Sequence, residues 1–480
     1  VLATCSRQRN NLNCRFASED LSDRRLAASF FGLLSEGLVV SDESAADELS
    51  NPSASPTRTR FAVLAILCLL SGILYLDRIC ISAAIDPIEN DLKISHTETS
   101  YILMAFTLAY AVFEIPTGRW GDRIGGRFVL TRISLWWSAF TALTGACTGL
   151  WMMVVVRFLF GAGEAGAFPN MARILSRWFP DQERGRAQGT LFAASQVGGA
   201  LAPYLANELI ELYGWRLTFV IFGGLGSIWA AGFWWWFRDD PAAHSGVNPA
   251  EAAHIGRRAT AGDVHSKIPW RAVARNPSIW FLCTIMTLGS FNSYIYFSWF
   301  SKYLVSGRGI DKTTASIMAS TVLAFSALGT FSGGFVVDRI VQSNRISRRR
   351  WMGGSCFFGA GVLLTCALLT QNPWFAVFFT AASCFLTQAT LPLWWSCAIG
   401  ISGKHVGALF GLMNSAGVFG GMSSQFLVGV IADWLGANGY SGRGQWDPIF
   451  YINVAVLIAA GTLWSQFRLI AVEPSETGAS

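Results

Sequence analysis

Residues 150–172 read LWMMVVVRFLFGAGEAGAFPNMA, an apolar stretch long enough to cross a bilayer that carries Arg157 and Glu164 inside it. Seven residues are two helical turns, about 10.5 Å of rise with only ~20° of angular drift. Both side chains therefore share one face. An ionisable group at membrane depth costs at least ~2.5–3.5 kcal/mol on insertion scales, so it normally faces a bundle interior or a wet cavity and has a partner. Partners are expected upstream in 69–82, LLSGILYLDRICIS, where Asp77 and Arg78 end another apolar run. Two acids and two arginines in two membrane helices point to proton-coupled anion transport.

Composition agrees. The chain has 480 residues, 52% hydrophobic and only 14% charged, against about 25% charged in soluble domains. Long apolar runs replace a several-domain soluble reading with a polytopic membrane protein. The net charge of +6 sits in loops between apolar runs, which is a topology signal and not a nucleic-acid footprint. The ten cysteines lack metal-ligand or disulfide spacing and read as reduced, small hydrophobes; no metal or cofactor is expected.

Residues 1–58 are polar and rich in Ser, Asp, Glu and Arg, and read as a disordered extension or an artefact of an upstream start, with a targeting role as the alternative. Apolar runs follow at roughly 61–84, 98–118, 128–148, 151–172, 187–209 and 216–237. After a polar stretch come six more, at 278–300, 314–338, 352–370, 374–399, 406–431 and 449–469. The expected fold is all-α, with twelve membrane helices in two six-helix bundles, 59–237 and 278–470. Residues 238–277 form a linker and 471–480 a tail. Arginines crowd the loops after spans 2, 4 and 8, and the loops after spans 3 and 9 have no Lys or Arg. The positive-inside rule then puts both termini and the linker in the cytoplasm, with the chain in the inner (plasma) membrane.

The two halves echo each other. The loop after span 2 reads GRWGDRIGGR (118–127), and the end of span 8 reads GGFVVDRIVQSNR (333–345). Parallel six-helix halves with a substrate site between them are one known transporter plan. Gly118–Arg127 resembles the loop signature of the major facilitator superfamily. Arg157 followed by Gly161-Ala162-Gly163 resembles that superfamily's helix 4 motif. Tyr75-Leu76-Asp77-Arg78, together with Arg157 and Glu164, resembles the anion:cation symporter family. That family includes bacterial hexuronate, galactonate and glucarate transporters, phthalate-type transporters, sialin and the vesicular glutamate transporters. The resemblance covers about 60–470.

The motifs divide by role. Gly118, Asp122, Arg123 and Arg127, with Asp338 and Arg339 in the second half, read as gate parts, the glycines allowing helices 2 and 11 to approach; topology alone is the plainer alternative. Gly161–Gly166 also spells GxGxxG, but a dinucleotide site needs a strand before it, and inside an apolar helix small residues serve tight packing. Arg78 and Arg157 are candidate carboxylate binders, since guanidinium offers two parallel hydrogen bonds to a carboxylate. Asp77 and Arg78 lie about 100° apart on a helix, so one is expected to face the cavity and the other helix 4. Asp77 and Glu164 are the proton-carrier candidates. Tyr75 and Tyr110 offer aromatic faces and hydroxyls at cavity depth, and the resemblance to galactonate-type members implies substrate contact at both. Ser195, Gln196, Trp395, Ser396 and Asn414 are further groups suited to hydroxyls or to interhelical bonds. Glu114 is left open between snorkelling, a loop partner and coupling. Asn292, Tyr294 and Tyr296 are candidates for an extracellular gate.

The resulting expectation is import of an organic anion with protons, a sugar acid of hexuronate, galactonate or glucarate type, by alternating access. An importer of aromatic or dicarboxylic acids, an exporter of the same fold, and a non-transporting receptor are the rivals. The expected partners are the anion, protons and the lipid bilayer, with no nucleic acid and no obligate protein partner. The missing nucleophile–base pair, metal cluster and phosphate loop point away from an enzyme.

Overall fold

The computed structural model describes residues 4–8, 11–15, 55–256, 270–342, 346–402 and 406–470. It divides into two units, one up to Ser55 and one from Pro56 onward. In the first, Thr4–Gln8 (β1) and Asn11–Arg15 (β2) pair antiparallel, with Cys5 opposite Cys14. The rest of the extension expected to be disordered, up to residue 54, and the tail 471–480 lie outside the described residues.

The second unit is helical. Helices α1 (Thr59–Leu92), α2 (His96–Ile124) and α3 (Gly126–Thr144) are the first three spans. The fourth is broken into α4 (Leu150–Glu164) and α5 (Ala167–Trp178). A single 56-residue run, α6 (Asp181–Trp236), holds the fifth and sixth, divided where Gly214 leaves helical geometry at φ 75°. After a short α7 (Pro249–Ile255), α8 (Pro277–Ser298), α9 (Lys312–Gln342) and α10 (Ile346–Leu369) are spans seven to nine. Span ten is again broken, into α11 (Pro373–Ala389) and α12 (Leu391–Ser402). The last two are α13 (Val406–Ala437) and α14 (Arg443–Gln466). Eight of these helical stretches are long and apolar enough to cross a bilayer by themselves, the one over α6 holding two spans; α2, α3 and α8 complete the twelve among the described residues.

Local chemistry sets several boundaries. Asn248, Asn276 and Asn372 each cap a helix through the side-chain oxygen, and each is followed by Pro at the first helical position. That pairing satisfies an orphan amide and pre-sets φ. The break between α4 and α5 rests on Gly166, at φ 83°, where a Cβ would strike Thr117 of α2. Only glycine fits a position that is both left-handed and this close to a neighbour.

Packing repeats in the two halves. In the first, α1 lies on α6, α2 on α4 and α3 on α6; in the second, α8 lies on α13, α9 on α11 and α10 on α14. These are the same pairs of spans, one to five, two to four and three to six, and their counterparts six positions on. Across the halves α2 meets α13 and α6 meets α9. Without a hydrophobic drive between helices in lipid, close approach must come from small residues. Gly198 of α6 lies against Gly72 of α1, where a Cβ would strike the Gly72 carbonyl. Gly198→Val is therefore expected to destabilise by about 3 kcal/mol, the upper part of the usual overpacking range, read as a lower unfolding temperature in detergent. Gly224→Ala, which meets nothing within 4 Å, should leave it unchanged.

Part of the polar connection between the halves folds back on the start of α1. Glu251 of α7 accepts from Thr57, from the Thr59 and Arg60 amides at 3.2 and 3.1 Å, and from the Arg60 guanidinium at 3.2 Å. Burial works to raise the Glu251 carboxyl; these hydrogen bonds outweigh it and hold the group below its usual range. A carboxylate depressed on folding stabilises above its unfolded value, near pH 4.3, and loses that contribution as pH falls through the lower folded value. Stability is thus expected to drop on acidification below about pH 4.3 in wild type, and this part of the slope should be missing in Glu251→Gln, measured by unfolding temperature against pH.

Candidate functional site

A cavity of about 1260 Å³ lies between the halves. One wall comes from α1, α2, α4, α5 and α6, the other mainly from α8, α9, α11, α12 and α13, with Phe357 of α10 and Trp464 of α14. It reaches Gly185, Gln188 and Gly189 at the start of α6. At the other end the halves meet: Thr107 of α2 donates to Gln425 of α13 at 2.9 Å, and Gln425 donates to Ser298 of α8 at 3.1 Å. The α2–α13 close approach also lies at this end, where Gly429 leaves no room for a Cβ against Ser100 and the His96 carbonyl.

The charges cluster on the wall of the first half. Arg78 reaches from α1 to Glu164 at the end of α4, with Nε 3.0 Å from Oε1 and a second contact from its terminal nitrogen. Its guanidinium lies 4.7 Å from the Tyr110 ring centroid, 5.1 Å from Tyr75 and 5.2 Å from Phe106. Such an aromatic cage attracts the cation and restricts its rotamers. Arg157, 1% exposed, sits 4.4 Å over the Phe160 ring one turn along its own helix. Its Nε and Nη1 find no hydrogen-bond acceptor among the described residues. Asp77 and Glu164 are fully buried. Asp77 accepts from the Trp137 indole at 3.1 Å, and its other oxygen is unmatched, as is one oxygen of Glu164.

Asp77 and Arg78 do point apart, but not as expected. Arg78 alone serves both the cavity and helix 4, while Asp77 turns to Trp137 on α3. Asp77 lies about 100° round the helix from Arg78, and α3 packs beside α4, so the two neighbours reach different helices.

Of the other sequence candidates, Tyr75, Tyr110, Arg157, Gln196 and Trp395 line the cavity, and Ser396 does not. Ser195 turns away, donating to the Phe192 carbonyl at 2.7 Å. The side chains of Asn414, Gly118, Asp122, Arg123 and Asp338 lie outside the described residues. Arg127 ties α3 to the end of α6: its amide donates to Asp239 at 3.0 Å, its Nε to the Trp234 carbonyl at 2.9 Å. Arg339 is exposed. Tyr294 lines the cavity, whereas Asn292 accepts from Asn453 of α14 at 3.0 Å and Tyr296 is buried. Glu114 lines the cavity one turn from Tyr110 on the same face of α2, a signal already present in the i, i+4 spacing. The GxGxxG glycines pack: a Cβ on Gly161 would strike the Phe106 backbone of α2, and one on Gly163 the Trp136 ring of α3.

Two six-helix bundles around a shared cavity with buried charge in its wall are the architecture of a membrane transporter. The profile of the Major Facilitator Superfamily matches residues 67–398, and the chain belongs to that superfamily. It is 30% identical over 418 residues to a protein of Cupriavidus necator named probable sulfoacetate transporter, covering 85% of this chain and 94% of that one. It is 27% identical to the D-galactonate transporter of an Escherichia coli strain, over 85% of this chain and 95% of the other. Among solved structures, a bacterial homologue of the human lysosomal transporter Spinster, crystallised inward-facing and unoccupied, superposes with a TM-score of 0.72 at 20% identity, covering 85% of this chain and 97% of that one. The protein is thus an integral, multi-pass transporter and not an enzyme.

Proposed function

We propose that the protein is a proton-coupled symporter that imports an organic anion, a sugar acid in the first instance, by alternating access. One observation carries this reading: Arg78 and Arg157 both line the cavity, and Arg78 is held there by an ion pair to the buried Glu164, with Asp77 buried nearby. A substrate carboxylate can take the forked N–H pair of Arg78 in place of Glu164. Glu164 then stands buried without its counter-charge, and taking up a proton removes that cost. With both arginines charged and both acids ionised, this four-residue cluster is neutral. A bound monoanion and one proton leave it neutral again, which makes low-dielectric passage affordable. Asp77, hydrogen-bonded by Trp137 and near Arg157, is the second proton carrier.

The hydroxyls of a sugar acid find partners on the opposite wall and along α6. Ser290, Ser293, Tyr294 and Gln388 face the cavity from the second half, and Gln196 from the first. In this reading residues 59–237 and 278–470 are the two bundles. Residues 238–277 join them on the cytoplasmic side, both termini are cytoplasmic, and the cavity opens to the cytoplasm across the inner membrane. A second reading, a small sulfonated acid, is favoured by the Cupriavidus relative; guanidinium binds a sulfonate with the same fork. Aromatic or dicarboxylic acids remain the rival, favoured by Phe106, Phe168, Phe192 and Trp395 in the lining.

The test is ligand stabilisation of the purified protein. A ligand at 100 times its Kd raises stability by about 2.7 kcal/mol. A panel of sugar acids, small sulfonates, aromatic acids and dicarboxylates, each beside its neutral alcohol, is read by unfolding temperature. The expected result is a rise with one acid class and none with the neutral counterparts. Equal rises with the neutral compounds would contradict the assignment of an anion.

A further inference from the structure

The end of the cavity opposite Gly185 is closed by charges that cross from one half to the other. Lys302 follows α8 in the second half. Its ammonium contacts Asp86 and donates to Glu89 at 2.9 Å, both on the last turns of α1 in the first half. The ammonium-bearing side chain is only 9% exposed and that of Glu89 7%. Glu89 is positioned by its own half, accepting from Thr99 at 2.9 Å and meeting His96 Nδ1 at 2.9 Å.

Lys302 is presented by a braced segment. The next five residues, Tyr303–Gly307, form a π-helical turn, a local distortion often found at functional positions. Tyr303 donates to Asp447 of α14 at 2.9 Å and accepts from Arg308 at 2.8 Å. Lys302 must therefore move with the second half, and Asp86 and Glu89 with the first.

A second crossing lies beside it. Asp433 of α13 accepts from the His96 and Thr97 amides at 3.2 and 2.7 Å. It caps the N-terminus of α2 from the other half, where the free amides and helix dipole favour an anion. A buried ion pair is close to break-even against apolar contact. Charge used here gives register and direction to the closed state, and the ions are rehydrated when the halves part.

We propose that Lys302 with Asp86 and Glu89, seconded by Asp433 on the start of α2, is the latch that closes this end of the transport path and must open once in each cycle. The proposal rests on the alternating-access class and is independent of the substrate and of proton coupling.

The test is a distance measurement on the full chain in nanodiscs, without substrate. Spin labels are placed at Lys93→Cys in the first half and Tyr440→Cys in the second, with the native cysteines replaced. Both positions are exposed. The latched parent should give one short distance. Lys302→Gln should move a large share of molecules to a longer distance, and Asp86→Asn with Glu89→Gln should do the same from the other side. The second variant also answers the question if Lys302→Gln fails to fold. A role in stability alone would lower the unfolding temperature and leave the distances in place; unchanged distances in both variants would overturn the proposal. Because no ligand is used, that failure would leave the anion assignment standing, and loss of the anion assignment would leave the latch standing.

Discussion

Glu164→Gln is expected to abolish gradient-driven accumulation of substrate while sparing exchange of labelled for unlabelled substrate across the membrane. Glutamine keeps the shape and can still accept from Arg78, so the cavity and the arginine's position survive. What it cannot do is carry a proton. One pH unit across the membrane is worth about 1.4 kcal/mol per proton, or about tenfold accumulation. Wild type in proteoliposomes should therefore concentrate substrate about tenfold per proton and pH unit, and the variant should equilibrate without concentrating it. Accumulation at the wild-type level in Glu164→Gln would remove Glu164 from the coupling path and shift the role to Asp77.

Arg157→Ala should abolish binding as well as transport. Arg157 is one of two guanidinium groups beside two fully buried acids, and it is itself 1% exposed. Removing it leaves Asp77 and Glu164 with Arg78 alone. With its charge gone, an incoming anion meets the two buried acids with one counter-charge fewer, and the expected loss in affinity is at least about 100-fold, equivalent to about 2.7 kcal/mol. Arg157→Lys should fall between, because a lysine restores charge without the planar fork. Titration calorimetry on protein that remains monodisperse reads both. Affinity within tenfold of wild type in Arg157→Ala would mean that the residue serves helix packing through Phe160 and not the anion.

Much of this site was legible in the sequence because membrane burial makes charge conspicuous. Arg157 and Glu164 stand out in 150–172, and Asp77 with Arg78 in 69–82, since those runs hold no other Asp, Glu, Lys, Arg or His. The pairing of Arg78 with Glu164 follows from that scarcity. Its geometry did not, because a helical angle says that two neighbours diverge but not which adjacent helix each one meets; Trp137 as the partner of Asp77 required the packing of α3. The breaks in spans four and ten were also hidden. Gly166 and the Thr390-Leu391-Pro392 step sit inside long apolar runs; at Gly166 the close approach of Thr117 holds the turn, and Pro392 lacks the amide that would continue the helix. Lys302, Asp86, Glu89 and His96 lie just beyond the apolar runs, at span ends. Charges there are common, and nothing local tells a solvated end from one folded against the other half. Ser396 shows the reverse case: a polar residue in an apolar run invites a ligand role, and it does not line this cavity.

The most direct test of the central claim is uptake into proteoliposomes of the acid found by stabilisation, with and without an inward proton gradient. Accumulation above the external concentration is expected only when the gradient is present, with alkalinisation of the outer medium in step with uptake. Uptake that proceeds equally without a gradient, with no proton movement, would contradict it; the buried acids would then hold the arginines in place, and the anion would move by exchange or facilitated diffusion.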